Sequence, residues 1–154
     1  MSLGSALLIV GISAAPIAEL RGGIPLALSL DYTATAAFLL AVFGNLLIVP
    51  LLLVGFRHGE ELLLRWRASR VLLEWVFART RRKGKLIERV GPAALVLLVA
   101  IPLPGTGAWT AAIAARVFGI PMRRALPWIG IGVLIAGIIV LLVSLGLFDL
   151  FGIG

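Results

Sequence analysis

Glu19-Leu20-Arg21-Gly22-Gly23-Ile24-Pro25 interrupts an otherwise apolar stretch, Leu3–Leu30. Pro lacks an amide donor and Gly loosens the backbone, so a helix entering from the N-terminal side is expected to stop here. A second apolar stretch, Pro92–Phe118, is interrupted in the same way by Pro102-Leu103-Pro104-Gly105-Thr106-Gly107. Its arms, Pro92–Ile101 and Ala108–Val117, are each about 15 Å long as helix, half of a bilayer's hydrocarbon core. Apolar arms of that length are more often re-entrant than spanning.

Two further blocks are uninterrupted by charge. Thr33–Phe56 and Ala125–Phe148 contain no Asp, Glu, Lys or Arg, and each is about 36 Å long as helix, enough to cross about 30 Å of hydrocarbon with some tilt. The composition agrees. Hydrophobic residues make up 61% of the 154 and charged residues 14%, with a mean hydropathy of +1.14. A soluble domain this small has too much surface to hide that excess. A water-soluble enzyme, a disordered chain and a nucleic-acid-binding module are thereby excluded, and a single membrane domain over residues 1–154 remains.

The formal net charge of +7 is concentrated. Ten of the 14 Lys and Arg residues lie between Arg57 and Arg89, the pattern of a cytoplasmic loop between hydrophobic blocks and not of a nucleic-acid surface. If Pro92–Phe118 crossed once, Arg123-Arg124 would face the side opposite that loop; if it enters and returns, they rejoin it. The same reasoning leaves Asp31 and Asp149 on the far side. The expected fold is therefore an all-α polytopic integral membrane protein. It has two re-entrant helical hairpins and two full transmembrane helices in an inverted repeat. Residues 1–56 hold the first hairpin and span, 57–91 a basic cytoplasmic segment, and 92–154 the second hairpin and span, with both termini outside. Ala6–Ile12 followed by Ser13-Ala14-Ala15 superficially resembles a signal peptide, but Met1–Val10 carries no basic residue, so the segment is expected to belong to the mature protein.

Within the basic segment, Glu60, Arg67, Arg70 and Glu74 share one arc of a helix and the rest of Glu60–Phe77 is mainly apolar. Such a helix either lies along the headgroup boundary or packs on the core. Arg79–Lys85 either binds anionic lipid headgroups or sets the topology.

The chemistry-bearing residues cluster at the two breaks. Glu19 and Arg21 are flanked by Pro16, Gly22 and Gly23. Ionisable side chains at membrane depth are costly and read as functional by default. Glu19 is suited to take up and release a proton, while Arg21 keeps its charge and is either an anion site or a counter-ion. At the second break, Pro104, Gly105, Thr106 and Gly107 precede an arm whose N-terminal amides are expected to face the midplane and bind anions, with Thr106 as its cap. Arg116 either snorkels to the interface or adds a second positive charge to a substrate path. Asn45, the only Asn, is expected to hydrogen-bond a hairpin tip. Inverted repeats with broken helices place a binding site where such tips meet.

No enzyme is expected. The chain has no Cys and one His, which removes thiol chemistry and His-cluster metal sites, and no Ser/His/Asp set, HExxH or Walker loop is present. No cofactor is implied. The expected partners are the lipid bilayer, anionic headgroups at the basic loop and a small amphipathic substrate. Two hairpins and two spans also make a thin wall around a wet cavity, which a homodimer would thicken.

Ser13-Ala14-Ala15-Pro16-Ile17-Ala18-Glu19-Leu20-Arg21-Gly22-Gly23-Ile24-Pro25 resembles the N-terminal signature of the putative small multidrug export protein family. Ala100-Ile101-Pro102-Leu103-Pro104-Gly105-Thr106-Gly107-Ala108-Trp109 resembles its second signature. The layout is in turn similar to the DedA/VTT superfamily, associated with two facing re-entrant hairpins and with movement of phosphate-bearing lipids. That superfamily's second hairpin carries an Arg-x-x-Pro-x-x-Arg pattern, and the matching stretch Val99–Gly105 has neither arginine. The expected function is that of a transporter in a prokaryotic inner (plasma) membrane, in which Glu19 binds and releases a proton and Arg21, with the amides of the second tip, holds an amphipathic anion such as a polyprenyl phosphate. The alternatives are proton-coupled efflux of hydrophobic cations, with Glu19 holding the cargo, and a structural membrane protein without transport.

Overall fold

The computed structural model describes residues 2–63, 91–101 and 106–151. All regular elements among the described residues are helices. In chain order they are α1 (Leu3–Ala14), α2 (Glu19–Ser29), α3 (Ala34–Leu63), a 3₁₀ turn (Gly91–Ala93), α4 (Ala94–Ala100), α5 (Ala108–Val117) and α6 (Met122–Phe151). The helices α3 and α6 each have 30 residues. Their stretches Ala34–Gly55 and Met122–Gly146 are long and apolar enough to cross a membrane, within a few residues of the two expected spans.

The first break lies earlier than the sequence suggests. Ala15 adopts an extended conformation (φ −73°, ψ 143°) because the ring of Pro16 disfavours the helical region for the residue before it. Helix resumes at Glu19 and runs through Arg21, Gly22, Gly23 and Pro25, the very residues expected to stop it. Packing overrides their poor propensity. A Cβ on Gly22 would lie 3.3 Å from Ile12 Cγ2 of α1, and one on Gly23 would lie 1.8 Å from Ser13 Oγ, so the interhelical contact requires small residues here. At the second break, α4 ends at Ala100 with Ile101 extended (φ −87°, ψ 111°), and α5 begins at Ala108 as its pattern suggests.

Side-chain contacts fix how the helices run. Phe38 and Val42 of α3 lie against Gly137 of α6, Leu46 lies against Gly130, and Leu53 and Val54 share a groove with Met122. The two long helices are therefore antiparallel. At one end of the bundle Tyr32, just after α2, bonds back to the start of α1, its hydroxyl 2.6 Å from Ser5 Oγ and donating to the Ser2 carbonyl at 3.3 Å. The pair α1–α2 thus folds back on itself. In the second half, Val96 and Val99 of α4 lie against Gly132, Val99 shares a cavity with Ala136 and Val140, and α5 leads within four residues into α6.

The core combines Leu20, Ile24, Val49, Leu95, Ile129 and Val133 with the alanines of α5. The outside is equally apolar: Leu39, Phe43, Leu47 and Leu51 form an exposed stripe on α3, and Ile131, Leu134, Ile138 and Leu142 an exposed face on α6. By contrast Ser13, Glu19, Asn45 and Thr106 are buried. Polar groups inside and hydrocarbon outside is the arrangement a lipid solvent favours. Of the basic segment, only Arg57–Leu63 falls among the described residues, as the continuation of α3; the remainder of Glu60–Phe77 and all of Arg79–Lys85 lie outside them.

Candidate functional site at the two breaks

Glu19 opens α2 in the left-handed region, φ 44°, a conformation that costs a non-glycine residue about 1–2 kcal/mol. That turn carries its side chain across to the second half of the chain. Glu19 Oε1 accepts a hydrogen bond from the Trp109 amide at 3.3 Å, in the first turn of α5. The other carboxylate oxygen, Oε2, lies 1.8 Å from where a Gly107 Cβ would stand. Gly107, at φ 152°, is the only kind of residue that fits. The N-terminus of α5 therefore receives its carboxylate from another helix. Negative charge is favoured there by the free amides and the helix dipole.

Three more bonds join the same region. Arg21 donates from its guanidinium to the Thr106 carbonyl. The indole Nε1 of Trp109 donates to the Ala14 carbonyl at 3.0 Å, at the last turn of α1. Asn45 Nδ2 donates to the Ser13 carbonyl at 3.1 Å, tying α3 to the end of the first arm. A small cavity is lined by Glu19, Leu20, Arg21, Asn45, Val99, Thr106, Ala136 and Val140.

The structure thus brings together Glu19, Arg21, Asn45, Thr106 and Gly107, with Gly22 and Gly23 packed behind them. Pro104 and Gly105 lie outside the described residues. One expectation is corrected. Thr106 does not cap α5; its hydroxyl donates back to the Ile101 carbonyl at 2.8 Å, and Gly107 is the N-cap. The α5 amides are engaged by Glu19 instead. Arg116 is not at this site. It sits in the last turn of α5 and lines a separate groove with Leu53, Val54, Gly119, Ile120, Pro121 and Met122.

Sequence reasoning missed Trp109 and Ser13. Trp109 follows the second break directly, and an indole is both apolar and a hydrogen-bond donor, which was the available signal. Ser13 is the last polar residue before the Pro16 break and is fully buried.

The model of one protein family matches residues 19–139, from the bridging carboxylate into the last helix. The chain belongs to the putative small multi-drug export protein family. No curated protein and no solved structure matches it. In this small multidrug export family member, Glu19 stands at the very start of the matched region, and both bonded breaks fall within or beside it.

Proposed function

We propose that the protein is a membrane transporter, that α1–α2 and α4–α5 are re-entrant hairpins dipping in from opposite faces as an inverted repeat, and that their junction is the substrate gate. The supporting geometry is the return of α1–α2 at Tyr32, the opposed run of α3 and α6, and the bonds between the two breaks. Alternating access then consists of breaking and remaking the contacts of Glu19, Arg21 and Trp109 as the hairpins part toward one side or the other.

The cargo we favour is an amphipathic cation, exported in exchange for a proton at Glu19. The observation that carries this reading is the engagement of the α5 amides by Glu19. An anion would find that helix N-terminus already neutralised. A cation finds a buried carboxylate at the edge of the small cavity. Protonation of Glu19 would remove the charge that holds it to α5 and release cargo together with the junction. The family description, small multi-drug export, points the same way.

The second reading, transport of an amphipathic lipid phosphate, rests on Arg21 at the same cavity. It requires Glu19 to leave the Trp109 amide so that the α5 N-terminus is free for a phosphate.

Purified protein in liposomes decides between them. An imposed proton gradient is expected to drive a lipophilic cationic dye, with Glu19→Gln inactive. Transport of labelled polyprenyl phosphate but not dye would reverse the choice, and flux of neither would leave a structural membrane protein.

A further inference from the structure

The amide of Asn45 has a fixed orientation. Its Nδ2 donates to the Ser13 carbonyl at 3.1 Å, and turning the amide over would set two acceptor oxygens against each other. Asn45 Oδ1 is therefore aimed away from that bond, and it meets no donor among the described residues. The hydroxyl oxygen of Ser13 is likewise without a partner among them. Both residues are buried, at 1% and 0% exposure, and an oxygen left unsatisfied at such depth is costly. Such oxygens persist where something with positive charge or a donor hydrogen meets them.

The surroundings say which. Ser13 belongs to the last turn of α1, the negative end of that helix's dipole. The Ser13 and Ala14 carbonyls each accept one bond, from Asn45 and Trp109, and keep a second lone pair. Ser13 Oγ packs directly against the backbone of Gly23, where a Cβ would stand 1.8 Å from it. Glu19 shares a cavity with Asn45 and supplies countercharge. Broken helices in membrane carriers use C-terminal ends of this kind to hold small cations. The side-chain oxygens are neutral, which suits an ion that sheds its water cheaply and not a divalent one.

We propose that the C-terminal end of α1 and Asn45 form a binding site for a monovalent alkali cation, with Ser13 Oγ and Asn45 Oδ1 as its side-chain ligands. The site pins the first helical pair to α3. It needs no assumption about cargo, and its test uses none.

The full-length protein in lipid nanodiscs is unfolded thermally in NaCl and in choline chloride at matched ionic strength, with LiCl and KCl as further arms. A saturable rise in midpoint with one or more of the alkali ions over choline is expected. Ser13→Ala removes one ligand and no hydrogen bond among the described residues, so it should fold and lose the ion-dependent rise. Asn45→Asp, with an added carboxylate, should keep or strengthen it. Equal midpoints in all four salts overturn the proposal and leave water as the partner of both oxygens. A rise that persists undiminished in Ser13→Ala overturns it as well, because the ion then binds elsewhere. Dye flux in choline medium tests the proposed function separately, so the two can fail independently.

Discussion

The carboxylate of Glu19 accepts a hydrogen bond at 3.3 Å from the backbone amide of Trp109, a residue 90 positions away in sequence. A side chain at the start of one short helix serves as the cap of another. The reverse connection runs from the Trp109 indole to the Ala14 carbonyl. The two halves of the chain therefore complete each other's helix ends at the point where both are broken.

Replacing Glu19 with Gln keeps the volume and the acceptor oxygen but removes the charge. A charge-assisted bond becomes a neutral one, and the favourable placement at the α5 dipole is lost. Burial of the carboxylate opposes its charge while the α5 amides favour it, so the thermal midpoint in detergent is expected to hold or rise. Flux should vanish. A variant as active as the parent would remove the charge from the mechanism.

Gly107→Ala is expected to be severe. The new methyl would stand 1.8 Å from Glu19 Oε2 at a backbone angle of φ 152°. Gly119, with φ 64° and open space around it, provides the comparison, since Gly119→Ala suffers conformational strain alone. Thermal melts should show the larger loss for Gly107→Ala, and Glu19→Ala should partly rescue it.

The Gly23–Ser13 contact makes a double-mutant cycle informative. Gly23→Ala alone meets Ser13 Oγ at 1.8 Å and should unfold at a clearly lower temperature. Adding Ser13→Ala removes the nearest atom and leaves contacts of 3.1 Å and 3.4 Å to Ser13 Cβ and Ala41 Cβ. Partial recovery is expected, and additive losses would contradict the packing.

Trp109→Phe keeps the ring packing and deletes the indole N–H, leaving the Ala14 carbonyl without that donor. A loss of about 1 kcal/mol is expected, measured by the same melts. Loss of activity with unchanged stability would instead assign the indole to cargo binding.

Membrane orientation is directly testable because the chain has no cysteine of its own. A cysteine introduced at Asp31 should react with an impermeant thiol reagent from outside intact cells, and one at Arg123 only after the inner side is opened. Labelling from the same side would contradict the opposed run of α3 and α6 as two membrane crossings.

Much of the architecture is legible in the residue order. The charge-free blocks around Asn45 and Gly132 announce the two long helices, since only apolar runs of that length suit a bilayer. Ala108–Val117 is read to the residue, because Gly107 and the following alanines mark a start unambiguously. The first break is read a few residues late. Gly22, Gly23 and Pro25 are poor helix formers in isolation, and the close packing of the two glycines on Ile12 and Ser13 of α1 is a tertiary feature that no local pattern carries.

The site divides along the same line. Composition and spacing alone determine that a carboxylate and a guanidinium interrupt apolar sequence, and that a Gly/Pro turn interrupts it again about 85 residues later. Hydropathy is a property of local segments, so both breaks are visible without a fold. Which amide Glu19 meets, that Arg21 bonds the Thr106 carbonyl while Arg116 lies in another groove, and that Ser13 and Asn45 are buried together are decided by tertiary structure. Hydrogen bonds between residues that distant depend on how helices pack in three dimensions, and no local pattern of residue types encodes that geometry.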